Sequence, residues 1–96
     1  MSNSTTDYAI EKFLISDKPL MMLAMDILQI LNKINKLTIK GIGELCPATV
    51  SVSNIITQNL LVGKTKTDKI ILGSETLDDG RLISTIEIVI RKIENQ

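Results

Sequence analysis

A turn pair followed by an unbroken two-residue alternation constrains this chain more than any other feature. Asp79-Gly80 supplies the positive-φ geometry of a tight hairpin, and a segment running from Arg81 to Ile93 follows it. One side of that segment carries Leu82, Ser84, Ile86, Ile88 and Ile90; the other carries Ile83, Thr85, Glu87, Val89 and Arg91. Period two is the mark of a half-buried strand, so the spacing predicts a strand from Leu82 to Ile93. Thr67 to Ser74 is the strand expected before the turn, with Glu75 to Gly80 as the connecting arm.

Upstream the pattern changes twice. Tyr8 to Ile15 is apolar at Ile10, Phe13, Leu14 and Ile15 with Glu11 and Lys12 between, and reads as a first strand. The polar, small residues Met1 to Asp7 read as a disordered leader. Ser16 or Asp17 is expected to cap a helix that holds Pro19 in its first turn and runs to about Asn35. Leu20, Leu23, Ile27, Ile30, Leu31 and Ile34 recur there at helical spacing. Met21, Met22, Met25 and Leu28 widen the stripe, which predicts a helix buried on two sides with its methionines in the core.

Leu37 and Ile39 alternate with Thr38 and Lys40 in a short second strand, which Gly41 and Gly43 are expected to interrupt. Gly41-Ile42-Gly43 has neither the dinucleotide-binding nor the Walker spacing, so it reads as backbone freedom and not as a phosphate cradle. Pro47 opens a segment to about Leu61, with Val50, Ile55, Ile56, Leu60 and Leu61 as its apolar set and Gly63 as its end. Thr49 to Ser53 is β-branched and alternating, and by propensity accepts a strand; the pattern after Val52 is helical.

Composition narrows the function classes. Ninety-six residues make one domain, here residues 8–96, and a core that small gains from self-association. Apolar residues are 44% of the chain and aromatics 2%, so Phe13 and Tyr8 cannot form a stacking platform for bases. Eleven Lys and Arg balance eleven Asp and Glu, whereas an autonomous duplex binder carries a basic excess. Any phosphate binding must rest on a local patch. Lys64, Lys66 and Lys69, with Asp68 among them, read as a solvated loop face.

With no His and only Cys46, disulfide frameworks, Cys/His zinc sites and nucleophile-His pairs are excluded, and a reducing, cytoplasmic setting is expected. Cys46 beside Pro47 reads as a structural thiol and not as an activated thiolate. Asp26, Glu87 and Glu94 show no acid–base spacing, so no catalysis and no cofactor or metal is expected. No apolar run approaches the ~20 residues that cross a bilayer, and the N-terminal residues lack a signal-type apolar stretch, so neither membrane insertion nor export is expected.

The wording of Leu72-Gly73-Ser74, Asp79-Gly80-Arg81 and Ser84 to Lys92, with Asp17-Lys18-Pro19 before the first helix, resembles the Alba family of small nucleic-acid-binding chromatin proteins, and the similarity extends from about Phe13 to Lys92. The resemblance implies a helix after Pro47 and an α+β fold of order β-α-β-α-β-β, two helices on one sheet in a two-layer sandwich. It also implies a DNA-facing loop with two lysines before the helix-opening proline; here Asp17 takes the first place and Lys18 the second. At the family's next basic loop this chain retains Lys40 and Gly43 but has Ile42, Glu44 and Ala48 at the other basic places. The family's minor-groove arm corresponds to Glu75 to Arg81, where three acids face Arg81 alone.

Carried over residue by residue, the resemblance places nucleic-acid contacts at Lys18, Lys40 and Arg81. A small, aromatic-poor core with apolar residues on both faces of its last strand and at Ile55, Ile56 and Leu60 needs a partner surface, so those three are the expected dimer or dimer–dimer interface. At Leu60 the family often has an aromatic that joins dimers along DNA, so filaments are expected to be sparse. The leading expectation is an Alba-like DNA- or RNA-binding nucleoid-associated protein of weakened affinity, a homodimer or the partner of a more basic paralogue. The competing expectation is an assembly module that has lost nucleic-acid binding.

Overall fold

The computed structural model describes residues 11–93. Chain order is β1 (Lys12–Leu14), α1 (Leu20–Leu31), β2 (Lys36–Ile42), a 3-10 turn (Gly43–Leu45), α2 (Cys46–Ile55), β3 (Thr65–Thr76) and β4 (Leu82–Lys92). A π-helical turn, Ile56–Leu60, extends α2. The leader expected at Met1 to Asp7, and the start of the first strand at Tyr8 to Ile10, lie outside the described residues.

The four-stranded sheet has the order β1-β2-β4-β3, with β1 parallel to β2 and β4 antiparallel to both its neighbours. The alternation of β4 puts it at the centre: Ile88 pairs with Ile39 and Ile90 with Leu37, and all four are buried. Ile86, Ile88 and Ile90 meet Leu23, Ile27 and Leu31 of α1 and Val52 and Ile56 of the second helix, so both helices cover one face and the other is open. Each such side chain, fully buried, contributes about 1.5–3 kcal/mol. The result is an α+β sandwich of two layers.

Four expectations need correction. First, α1 is not buried on two sides: Met21, Met22 and Met25 are 52%, 53% and 45% exposed, while Leu23, Ala24, Ile27 and Leu31 face inward. Only one layer is available to the helix, so the widened stripe meets solvent. Second, α1 ends at Leu31, and Pro19 occupies its N-cap without any side-chain cap from Ser16 or Asp17. The Pro19 carbonyl accepts from the Met22 and Leu23 amides at 3.0 and 3.1 Å instead.

Third, Gly41 does not interrupt β2. It lies inside the strand and is buried, and a Cβ there would collide with Thr49 Oγ1 and come within 2.9 Å of the Leu45 carbonyl. Glycine at this point lets α2 lie close on the strand. The break comes at Gly43, whose φ of +60° only glycine adopts freely. Fourth, β3 runs from Thr65 to Thr76 and is longer at both ends than the expected Thr67 to Ser74, so Lys66 belongs to the strand and not to a loop face, and a bulge lies between Thr67 and Lys69.

Thr49 to Ser53 is helical although propensity accepts a strand. Thr49 Oγ1 donates to the Leu45 carbonyl at 2.8 Å and Ser53 Oγ to the Val50 carbonyl at 2.8 Å, and Thr49, Val52 and Ser53 are all buried. Hydroxyls satisfied on the preceding turn remove the cost of burying them.

Candidate nucleic-acid interface

Pairing between β3 and β4 continues to Thr76 and Leu82, whereas pairing between β2 and β4 stops at Ile42 and Thr85. Ser74–Ser84, Glu75–Ile83 and Thr76–Leu82 therefore form a two-stranded ribbon beyond β2. Its tip is the tight turn that Asp79-Gly80 predicts: the Gly80 amide donates to the Leu77 carbonyl at 2.9 Å, and Gly80 has φ +90°. Leu77 closes the loop by donating to the Arg81 carbonyl at 2.7 Å.

Arg81 stands at this tip, and Asp79 holds it. The Asp79 carboxylate accepts from Arg81 Nε at 2.7 Å and from the Arg81 amide at 3.1 Å. Glu44, on the turn after β2, lines a cleft with Arg81, Leu77 and Ile83, so the loop and the arm border one concavity.

Lys40 projects from β2 on the open face, opposite Glu87 in register. Its Nζ donates to Glu75 of the ribbon at 2.9 Å. That hydrogen bond raises the Lys40 ammonium above the ordinary lysine value; partial desolvation opposes the shift, and the Glu75 and Glu87 charges reinforce it. Lys18 lies in the loop before α1, three residues past Ile15, whose amide donates to the Lys40 carbonyl at 2.8 Å. Lys18 turns toward the helix and meets Asp26 at 3.4 Å.

The fold thus joins Lys40 to the arm through Glu75, while Lys18 pairs with its own helix and Arg81 with its own turn. All three cations have carboxylate partners, and Asp17, Glu44 and Asp78 add exposed acids to the same loops. Sequence reasoning named Glu75 and Asp26 but missed their pairing with Lys40 and Lys18. Asp26 is eight positions from Lys18 and Glu75 is thirty-five from Lys40, so the second pairing appears only once the register is known.

A second surface is apolar. Cys46, Pro47, Val50, Leu72, Ser84 and Ile86 line a shallow groove between the start of α2 and the exposed strand β3, in which Leu72 is 75% exposed. The Cys46 thiol points to the Gly41 and Ser84 carbonyls, each at 3.6 Å, as a structural cysteine does. Of the residues expected at a subunit interface, Leu60 is exposed and Ile55 half-buried. Ile56, at 0% exposure, belongs to the protomer's own core. Among the described residues, no helix is long and apolar enough to cross a membrane.

This arrangement of strands, helices and ribbon has solved counterparts. Alba from Thermoplasma volcanium matches with a TM-score of 0.72 at 29% identity, over 84% of this chain and 99% of that one. This chain has the Alba fold. An Alba protein from Trypanosoma brucei also matches with a TM-score of 0.72, at 14% identity, over 88% of this chain and 70% of that one. No family model matches the chain, and no curated protein matches it. The Alba-like wording of Ser84 to Lys92 is borne out in the fold: it lies in β4, one of the two interior strands of the sheet.

Proposed function

We propose that this chain is a dimeric, nucleic-acid-associated protein of the Alba type whose loop-and-arm surface contacts phosphates weakly through Lys18, Lys40 and Arg81. Support comes from one observation above all: each of those cations is already engaged by a carboxylate of its own chain. Exposed ion pairs are weak in water, so Asp26, Glu75 and Asp79 compete with phosphate and do not forbid it. Asp17 and Glu44, which have no cation within ion-pair distance among the described residues, add repulsion.

The partner in this reading is DNA or RNA, the assembly is a homodimer or a heterodimer with a more basic paralogue, and the setting is the nucleoid in the cytoplasm. Exposed Leu72 and Val50 beside the groove on α2 and β3 support a subunit contact there. The same ion pairs also favour a second reading, an assembly module without nucleic-acid binding.

Fluorescence anisotropy of a labelled duplex in a salt series separates the two. Asp17→Lys with Glu44→Arg is expected to strengthen binding and to steepen the dependence of log affinity on log salt by about 1.8, at about 0.9 for each additional phosphate neutralised. Lys18→Ala with Lys40→Ala is expected to weaken it. Tight binding by the unmodified protein, or a double reversal without effect, removes the loop-and-arm reading. A dimer that binds nothing before or after the reversal is the assembly module.

A further inference from the structure

The densest set of cations lies on the open face of the sheet, away from the helices. Register decides which side chains share that face. Lys36 on β2, Arg91 on β4 and Lys66 on β3 form one row across three adjacent strands. Lys12 on β1 and Lys69 on β3 end the next row, with Thr38 and Val89 between them. Strands are about 4.8 Å apart and alternate residues about 6.7 Å apart, so five cations occupy a flat grid two rows deep.

Carboxylates are sparse on this half. Asp68, displaced by the bulge, bridges Lys36 at 3.8 Å and Arg91 at 3.2 Å, and Lys12 reaches Glu87 of the following row at 3.3 Å. Lys66 and Lys69 are exposed, with no carboxylate in ion-pair range among the described residues. The chain is neutral as a whole; it gathers acids on the loops and arm and leaves an excess of cations at the opposite half of the sheet.

We propose that this half of the open sheet face is a second nucleic-acid docking surface, which holds the phosphate backbone and does not read bases. Edge-strand lysines also blunt unwanted strand pairing, and that role accounts for Lys66 and Lys69 on β3. It does not account for Lys36 and Arg91, which stand on the interior strands β2 and β4. A protein partner would need a buried aromatic or apolar anchor; the two cation rows offer only half-buried Val89, and exposed Leu14 and Ile71 stand in the next row, beside the acidic Glu87 and at opposite edges of the sheet. Phosphates need none: Lys, Arg and Thr side chains hold them directly. Phe13 pairs with Ile39 on the helix side, so among the described residues this face has no ring on which a base stacks.

The test is anisotropy of a fluorescein-labelled DNA duplex in a salt series with the full chain, its Lys66→Gln/Lys69→Gln variant, and Lys33→Gln as a charge control beyond α1. Glutamine keeps the side-chain stem at exposed positions, and overlaid circular dichroism checks the fold. The double variant is expected to make the salt dependence shallower by about 1.8, at about 0.9 for each phosphate no longer neutralised, while Lys33→Gln retains the wild-type slope. Absence of wild-type binding at low salt, a wild-type slope in the double variant, or an equal loss in Lys33→Gln would each overturn the proposal. Polyglutamate displacing the duplex as effectively as unlabelled duplex does would also overturn it, by assigning the face to acidic polypeptides. Asp17→Lys/Glu44→Arg in the same assay keeps the two surfaces apart: a reversal without effect removes the loop-and-arm reading and leaves the sheet-face proposal standing.

Discussion

Lys40 illustrates how one hydrogen bond decides whether a cation is free for a ligand. Its ammonium is bound by Glu75 and faces Glu87, and its pKa moves further up, so it stays charged through the neutral range and loses availability, not charge. Glu75→Gln removes the competing charge and leaves the strand intact. Duplex binding is expected to strengthen, with the salt slope steeper by about 0.9; an unchanged slope would mean that Lys40 takes no part in binding. Gly41 makes a different point at the same scale. Gly41→Ala drives a Cβ into Thr49 Oγ1 and toward the Leu45 carbonyl, and such overpacking is expected to cost about 1–3 kcal/mol of stability, read from urea unfolding. Thr49→Ala should relieve part of that loss, because it removes the hydroxyl but not the backbone carbonyl.

At the scale of elements, what was legible in the chain was what depends on neighbours in sequence. The alternation of Ile86, Ile88 and Ile90 with Glu87, Val89 and Arg91 marks β4 as a strand with two unlike sides, because period two is local, and Gly80 marks the hairpin for the same reason; which side is buried only the packing decides. The methionines of α1 misled because periodicity counts apolar faces but not the layers available to cover them. Gly41 misled because its reason is Thr49, on another element. In the candidate site, Lys18, Lys40 and Arg81 were nameable only through the resemblance to Alba proteins, and the Lys40 partner and the cation rows required strand register. The exposure of α1 is directly testable. Met22→Gln is expected to change stability by less than about 0.5 kcal/mol, whereas Leu23→Ala, one residue away, is expected to cost about 2–5 kcal/mol. Equal losses in thermal or urea unfolding would mean that the methionine face is covered in solution.

For the whole molecule, the question is what covers the helix-side surface that β3 leaves open. Leu72 and Ile70 project from the exposed half of that strand, and Val50 stands beside them on α2, around the groove that begins at Cys46. The protomer has no further layer among its described residues to place there. A stable contact between subunits buries about 1,200–2,000 Å² in total, and a patch spanning α2 and an entire edge strand is the place on this fold suited to supply it. Sedimentation at micromolar concentration is expected to find a dimer. Leu72→Asp is expected to shift it to monomer with an unchanged far-ultraviolet spectrum, since a side chain that is 75% exposed contributes little to its own protomer. Ile56→Ala should do the reverse: with Ile56 fully inside the core, it should lower the unfolding midpoint before it touches assembly, at a cost of about 2–5 kcal/mol. A wild-type monomer at that concentration would remove the subunit contact, and the loop-and-arm surface would then act one copy at a time; a Leu72→Asp dimer as tight as wild type would place the contact elsewhere.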